Sequence, residues 1–219
     1  MAAYLQYKFK ENNFLLHSNK FIFWEEESAI ILSDMHIGKV AHFRKHGLAM
    51  PTNIIKEDMQ RLFEAIPFFK PKKIIIVGDL FHSVANKEHE LFSRWRNDLP
   101  SVEFILVKGN HDIIKEEWYK NANITLHQDF LKIQNFVFVH QKEDYEKGLQ
   151  PNEYLMCGHV HPAIMLKGLG RQSLKFNCFY FSDNYMLLPA FGKFTGNYVI
   201  EPKKEDTVFA IVNDAVIKL

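Results

Sequence analysis

Short apolar runs and helical apolar periodicity alternate along the first half of the 219-residue chain. The runs SAIILSD, KKIIIVGDL and SVEFILVKGN each hold four consecutive apolar residues and then stop at glycine or polar residues. Runs of this length are typical of buried strands. Between them, residues 52–66 and 86–99 repeat apolar residues at helical spacing, which predicts amphipathic helices. This alternation predicts a sheet whose strands are joined by helical crossovers.

The second half of the chain has a different pattern, because short apolar segments without a helical repeat follow residue 123. An apolar hairpin segment, FLLHSNKFIFW, also precedes the first buried strand. Both features predict many short strands joined by turns. We therefore predict an α+β or α/β fold in which two mixed β-sheets pack as a sandwich flanked by helices. No repeat or flexible linker interrupts the chain, so residues 1–219 are expected to form a single domain.

Side chains that can bind metals or transfer protons follow five of the predicted strands. They are Asp34, His36, Asp79, His82, Asn110, His111, Asp112, His140, His159 and His161. Residues just past the carboxyl ends of strands converge on one crevice in open α/β sheets. Any one of these segments, taken alone, is as consistent with a tight turn as with a site. Five of them, each at a strand end, favour a functional site.

The types of side chain indicate which ions would bind. Carboxylate, imidazole and amide oxygen ligands suit Mn²⁺, Fe²⁺ or Zn²⁺, and the lack of thiolates argues against a structural zinc cluster. Two ions about 3.5–4 Å apart need an anion between them, and Asp79 is the natural candidate. The sequence does not separate the three metals, because the same ligands bind all of them.

The same segments resemble the signature of the calcineurin-like metallophosphoesterases. The matching residues are Asp34-x-His36, Gly78-Asp79, Gly109-Asn110-His111-Asp112, His140 and Gly158-His159-Val160-His161. The resemblance implies that family's four-layer fold, in which two mixed sheets form a sandwich flanked by helices. It also implies a hydrolase that acts on phosphoric esters with two divalent metal ions.

The resemblance further implies a role for each matching residue. The ligands of one metal would be Asp34, His36, Asp79 and His161, and those of the other Asp79, Asn110, His140 and His159. A hydroxide activated by the two metals would attack the phosphorus atom in line. His111 and Asp112 would be the catalytic residues, with His111 beside the leaving group and Asp112 orienting the His111 ring.

Two segments beside the predicted ligands contain basic residues and no acidic residue. They are residues 35–56 and residues 154–182, and the second contains Lys167 and Lys175. A local basic footprint of this kind favours a polyanionic substrate. Ordinary surface charge is the alternative interpretation of either segment alone.

Longer segments sharpen the resemblance toward the bacterial ligase-associated metallophosphoesterases. SDMHIGKVAHFRKHGLAMP, GDLFHS and LLPAFGKFTG resemble members of that family, which are described as DNA-damage-response endonucleases found beside an ATP-dependent DNA ligase and a helicase. We therefore expect single-stranded or damaged DNA as the substrate, Mn²⁺ as the preferred metal, and a ligase and a helicase as partners. His42, Arg44 and His82 are expected to contact the substrate. The chain departs from the subfamily pattern at Asn177, where a proline is expected, and at Asn197, where a second glycine is expected.

Composition and charge indicate the cellular compartment of the protein, but they do not identify its substrate. The net charge of +1 argues only weakly against nucleic acid, because a local patch is hidden in the total. The spacing of Cys157 and Cys178 fits neither a metal site nor a redox motif, and free thiols would indicate a reducing compartment, with a single disulfide as the alternative. No signal-peptide pattern and no membrane-spanning apolar stretch is visible. We expect a cytoplasmic protein without a membrane partner, and we make no prediction of its oligomeric state.

The leading prediction from the sequence is a metal-dependent phosphodiesterase, specifically a DNA endonuclease that acts in repair through a two-metal hydroxide mechanism. One alternative is a small-molecule phosphoesterase acting on nucleotides or lipid-linked pyrophosphates, since the fold alone permits these substrates. A second alternative is a non-catalytic, metal-containing adaptor in a complex of ligase and helicase. The complete set of predicted ligands argues against the adaptor.

Overall fold

The computed structural model of the protein describes residues 3–39, 54–82, 87–168 and 172–219. Within these ranges the chain forms sixteen strands, three α-helices and two 3₁₀ helices. His42 and Arg44, two of the predicted substrate contacts, lie outside the described residues.

The first sheet contains seven strands in the order of the sequence. They are β1 (Tyr4–Phe9), β2 (Asn12–His17), β3 (Phe21–Trp24), β4 (Ala29–Leu32), β5 (Lys73–Val77), β6 (Glu103–Val107) and β7 (Ile124–His127). Strands β1 to β4 pair antiparallel, and β4 to β7 pair parallel. Leu32 pairs with Ile76 and Ile76 with Leu106, so the carboxyl ends of β4, β5 and β6 lie side by side.

The second sheet contains nine strands, in the order β14-β11-β12-β13-β10-β9-β8 with β15 and β16 continuing from β12. They are β8 (Leu131–Ile133), β9 (Phe136–Val139), β10 (Tyr154–Cys157), β11 (Pro162–Lys167), β12 (Ser173–Phe181), β13 (Tyr185–Leu187), β14 (Tyr198–Val199), β15 (Thr207–Val212) and β16 (Ala215–Lys218). Strands β9 and β10 are parallel neighbours. His140 and His159 therefore follow adjacent strand ends.

The two sheets pack face to face around an apolar core. Ile75 and Val77 of β5 belong to this core, whereas Ile74 and Ile76 of the same strand pack against the helices on the other side of the first sheet. Alternate side chains of a strand point to opposite faces, so a strand covered on both sides needs a continuous apolar run. Burial on both sides explains the runs from which the strands were predicted.

Helices cover the outer face of the first sheet. They are α1 (Ile54–Phe69), α2 (Lys87–Asn97) and α3 (Glu116–Asn121). Met59 and Leu62 of α1 and Phe92 of α2 are buried against this face. The prediction of a sheet sandwich flanked by helices is confirmed. The outer face of the second sheet packs against the segment of the 3₁₀ helices Lys142–Asp144 and Glu146–Gly148, through Tyr145 and Leu149.

Two observations bear on the predicted setting of the protein. Cys157 and Cys178 are both buried and both free, so the disulfide alternative is wrong. Among the helices of the described segments, none is long and apolar enough to cross a bilayer.

The buried pair Asn12 and Trp24 offers a test of the core. Trp24 is fully buried, and its indole Nε1 donates a hydrogen bond of 2.8 Å to Oδ1 of Asn12. We expect Asn12→Ala to lower the free energy of unfolding by about 1–3 kcal/mol, because it leaves a buried N–H without an acceptor. Urea denaturation measures this change. Asn152→Ala, at an exposed position, should change the stability by less than about 0.5 kcal/mol, and equal effects of both substitutions would contradict the prediction.

Candidate metal centre

The structure gathers the predicted metal ligands at the carboxyl ends of five strands. Asp34 and His36 follow β4, Asp79 follows β5, and Asn110 follows β6. The remaining three ligands come from the second sheet, where His140 follows β9 and both His159 and His161 follow β10. The site therefore lies where the carboxyl ends of strands from both sheets meet.

One group of donor atoms belongs to Asp34, His36 and His161, whose ligand atoms all lie within 4.8 Å of one another. His161 Nε2 is 3.1 Å from Asp34 Oδ1, and His36 Nε2 is 3.9 Å from the same oxygen. His36 Nε2 also lies 3.8 Å from Asp79 Oδ2. Asp34 is fully buried and His36 nearly so, which makes this a water-poor group of donors.

A second group of donor atoms surrounds Nε2 of His140. This nitrogen lies 3.4 Å from Asp79 Oδ2, 3.2 Å from Asn110 Oδ1 and 3.3 Å from His159 Nδ1. Asp79 Oδ2 is thus close to His36 of the first group and to His140 of the second. This position between the groups fits the predicted bridging role of Asp79.

The buried atoms of the first group fit a cation. Asp34 Oδ1, His36 Nε2 and His161 Nε2 are buried and make no hydrogen bond, although two of them are only 3.1 Å apart. Buried polar atoms without a partner are rare in proteins. A cation bound between these atoms would accept a lone pair from each of them and so satisfy all three. The residues present therefore fit the predicted metal pair, and the assignment of each ligand to one metal stays a prediction.

In two of the histidines, a contact with a backbone carbonyl determines which ring nitrogen can bind a metal. His140 Nδ1 lies 3.3 Å from the carbonyl oxygen of Val77, and His161 Nδ1 lies 2.9 Å from that of Gly196. Since a carbonyl only accepts, each Nδ1 carries a proton, which leaves Nε2 as the nitrogen that can bind a metal.

The backbone at the site is left-handed at most of the predicted ligands. The positive φ angles are 53° at Asp34, 49° at His36, 49° at Asp79, 65° at His159 and 53° at His161. Such conformations cost about 1–3 kcal/mol each and persist where the surrounding structure enforces them. They turn each strand end sharply enough to aim its side chain into the site.

Two glycines leave room that the ligands occupy. A Cβ atom on Gly109 would lie 2.2 Å from Asp79 Oδ1, and one on Gly78 would lie 1.9 Å from His140 Nδ1. Gly78 also has a φ of +78°. These close approaches explain in physical terms why glycine precedes Asp79 and Asn110.

Burial and neighbouring charges shift the pKa values of three of the ligands, Asp79, His36 and His140. Burial disfavours the charge of Asp79, but the hydrogen bond with His140 and the N–H of His111 outweigh it and lower the pKa to about 2. Burial lowers the pKa of His36 to about 3 against the opposing charges of Asp34 and Asp79. Burial also disfavours charge on His140, yet the Asp79 carboxylate and Asp34 raise its pKa to about 9. A cation bound at His140 would have to displace that proton.

His111 and His82 lie at the rim of the site. The backbone N–H of His111 donates to Asp79 Oδ1 over 2.9 Å, which anchors this residue to the centre. The ring of His111 lies 5.4 Å from that of His36 and 4.8 Å from that of His82, measured between centroids. Both histidines are only partly buried. Their predicted contacts with leaving group and substrate stay predictions.

Asp112 has a different set of contacts from the one that the resemblance implies. Its carboxylate is fully buried, with Oδ1 accepting from the N–H of Phe81 over 3.0 Å and Oδ2 from the N–H of Gly109 over 2.9 Å. It makes no hydrogen bond to the His111 ring in the described part of the chain. That Asp112 orients this ring stays a prediction. The contacts it does make tie the turn after β6 to the segment after β5.

Sequence reasoning missed two polar contacts behind the ligands. The side chain of Gln141 places Nε2 3.0 Å from Nε2 of His159, and no motif pointed to this residue. Asn177 and Asn197 bond to each other, with Asn197 Nδ2 2.7 Å from Asn177 Oδ1. With the Asn197 amide flipped, its nitrogen donates to the carbonyl oxygen of Gly196 over 3.1 Å, the oxygen that His161 also contacts, and its oxygen is the atom 2.7 Å from the Asn177 amide.

A family comparison covers the residues of this site, and two solved structures are similar to the chain. The sequence profile of the calcineurin-like phosphoesterases matches residues 28–176, a range that contains every predicted metal ligand. Among solved structures, nuclease MPE of Pseudomonas putida is similar, with 24% identity and a TM-score of 0.82 over 99% of this chain and 100% of that chain. Yfce, a phosphoesterase from E. coli, has 13% identity and a TM-score of 0.46 over 87% of this chain and 97% of its own. No curated protein matches the sequence.

The close approach at Gly109 gives a test of the centre. We expect Gly109→Ala to abolish tight binding of Mn²⁺, because the new Cβ would force Asp79 away from the other ligands. Gly148→Ala is the matched control, since its Cβ would meet no atom nearer than 4.0 Å. Isothermal titration calorimetry measures both, and Asp79→Asn tests the carboxylate without crowding. Unchanged Mn²⁺ affinity in Gly109→Ala would refute the proposed position of Asp79.

The Asn177–Asn197 contact gives a second test. We expect Asn177→Ala to weaken Mn²⁺ binding by up to about 10-fold, because the support of the carbonyl that holds His161 is lost. The double variant with Asn197→Ala should bind no more weakly than either single variant, since the same hydrogen bond is removed. Calorimetric titration of the four proteins measures the coupling. Additive losses would show that the two amides act independently.

Proposed function

The chain belongs to the calcineurin-like phosphoesterase family, and on this premise we propose that it is a two-metal phosphodiesterase that cleaves DNA as an endonuclease. Family membership makes it a metal-dependent hydrolase of phosphoric esters. The observation that carries the two-metal proposal is the position of Asp79 Oδ2, 3.8 Å from His36 Nε2 and 3.4 Å from His140 Nε2. One carboxylate oxygen is thereby available to both groups of donor atoms.

In the proposed mechanism the two groups of ligands hold one divalent ion each. Bound divalent ions supply an activated water and neutralise charge on the oxygens of the phosphate. Asp34 and Asp79 provide the fixed negative charge that holds the pair. Their burial strengthens this attraction, because the low local dielectric screens it less than water does.

His111 is proposed to act on the leaving group. Its backbone is fixed through Asp79, and its partly exposed ring lies beside those of His36 and His82. From this rim a ring nitrogen can donate a proton to the oxygen that leaves phosphorus. General acid catalysis of this kind contributes about 10²–10⁴-fold to a rate. Asp112 contributes by holding the turn on which His111 stands.

DNA is proposed as the substrate on two grounds. The two acid-free basic segments adjoin the ligands, which supports a polyanion rather than a small neutral ester. The fold is also shared with a protein described as a nuclease. Mn²⁺ as the metal, a role in repair and association with a DNA ligase and a helicase stay predictions from the subfamily resemblance. A cytoplasmic location stays a prediction from the sequence pattern.

A panel of metals and substrates tests the proposed function. We expect Mn²⁺-loaded protein to hydrolyse bis(4-nitrophenyl) phosphate and to nick circular single-stranded DNA, with EDTA abolishing both reactions. His111→Ala should lower kcat by about 10²–10⁴-fold while Mn²⁺ binding is kept. His127→Ala, at the end of β7, serves as the matched histidine control.

Each other outcome selects a different function. Turnover of a phosphomonoester or pyrophosphate without cleavage of DNA would identify a small-molecule phosphoesterase. Tight Mn²⁺ binding without turnover of any ester would favour the adaptor. Full activity in His111→Ala would remove this residue from the mechanism and leave the metal centre as proposed.

A further inference from the structure

A projecting part of the second sheet lies beside the metal centre. Strands β11 and β12 form an antiparallel pair in which Met165 lies opposite Lys175 and Lys167 opposite Ser173. Side chains alternate along each strand, so the odd-numbered residues of both strands share one side of the pair. Five of them form the part of that side that we call the hairpin face, namely Met165, Lys167, Ser173, Lys175 and Asn177.

The alternation along β12 shows where the hairpin face points. Phe179 and Phe181 belong to the core between the two sheets, whereas Cys178 and Tyr180 pack on the outer side of the second sheet. Residues at odd positions share one side of the strand. Lys175 and Asn177 therefore continue the side that faces the first sheet, beyond the point where the core ends.

The hairpin face is open to solvent. Lys167, Ser173 and Lys175 are exposed, and Met165 keeps 38% of its surface accessible. In the described ranges, neither lysine takes part in an ion pair, and residues 154–182 contain no acidic residue. The positive charge of this surface is therefore not neutralised by its own strands.

The hairpin face is continuous with the metal centre. Its inner end is Asn177, which bonds to Asn197 over 2.7 Å. The neighbour of Asn197, Gly196, accepts the hydrogen bond from Nδ1 of His161, a predicted metal ligand, over 2.9 Å. Two hydrogen bonds, joined by the peptide link between Gly196 and Asn197, thus connect His161 to Asn177 at the inner end of the hairpin face.

We infer that the hairpin face binds the phosphate backbone of a single strand of nucleic acid, next to the bond that is cleaved. This inference rests on the proposed function, since it supplies the path by which a long substrate reaches the metals. Two unpaired lysines on one side of a sheet suit successive phosphates, and the thioether between them suits a sugar or a base. A small diester carries a single phosphate, so it has no second phosphate to offer the lysines while the first is at the metals.

The experiment compares two pairs of lysines. Lys167→Gln with Lys175→Gln removes both charges of the hairpin face. Lys8→Gln with Lys72→Gln removes two exposed charges elsewhere, one in β1 and one just before β5, both in the first sheet. Binding of a fluorescein-labelled single-stranded oligonucleotide is followed by anisotropy in EDTA, over a series of salt concentrations. Hydrolysis of bis(4-nitrophenyl) phosphate with Mn²⁺ is measured in parallel.

We expect the hairpin pair to reduce the slope of log affinity against log salt by about 1.4, since each phosphate contact on a single strand contributes about 0.7. Affinity at about 0.1 M salt should fall on the order of 10-fold. Hydrolysis of the small diester should stay unchanged, and the control pair should behave as the parent protein.

Other results overturn the inference in distinguishable ways. Equal binding by both pairs of variants would refute it and leave the proposed function intact if the parent protein cleaves DNA. Leu174 and Tyr198 are exposed on the other side of the sheet. If Leu174→Gln and Tyr198→Ser lost binding while the lysine pair kept it, the nucleic acid strand would lie on that other side. Absence of diester hydrolysis by the parent protein would refute the proposed function itself, whatever the lysines do to binding.

Discussion

The left-handed backbone at five of the seven predicted ligands is the constraint on which the site depends. Asp and His enter this region more readily than most residues, yet each still gives up free energy there. The segments that carry the strain are joined by backbone hydrogen bonds, from the N–H of Asp34 to Gly78 and from that of His36 to Asp79, at 3.1 and 2.9 Å. These bonds exist because β4 and β5 are parallel neighbours that end together. The sheet therefore stabilises, at its edge, a backbone that the same residues would not hold in isolation.

Much of this arrangement could be predicted because it follows from local sequence and from a general property of parallel sheets. The run from Ile74 to Val77 is buried on both faces, so its identity as a strand is plain, and Asp79 must then lie at its end. The hydrogen-bond partners of Asp112 could not be predicted in this way. They depend on how the turn after β6 closes on the N–H of Phe81, thirty-one positions earlier. Adjacency to His111 in sequence did not reveal these contacts, since a turn can point successive side chains in opposite directions.

The same limit applies to the two positions where the chain departs from the subfamily pattern. Asn177 and Asn197 lie twenty positions apart in the sequence, but they bond to each other. Ala163 pairs with Asn177 on one side and with Val199 on the other, so β11 brings β12 and β14 into a register that joins the amides. Only that register reveals the relation. A side-chain hydrogen bond here stands where a glycine and a proline were expected to constrain the backbone.

Charge gives the clearest contrast between composition and structure. The totals, 27 basic against 26 acidic residues, describe a chain with no field to attract a polyanion. A bound strand does not respond to that total, because salt screens charges beyond about 8 Å at physiological ionic strength. It responds to the residues that share one surface. The pairing of β11 with β12 places Lys167 and Lys175 on one such surface, and the acid-free sequence around them leaves their charge uncompensated. A neutral chain can therefore present a basic path to its metal centre, provided that the fold separates its charges by face.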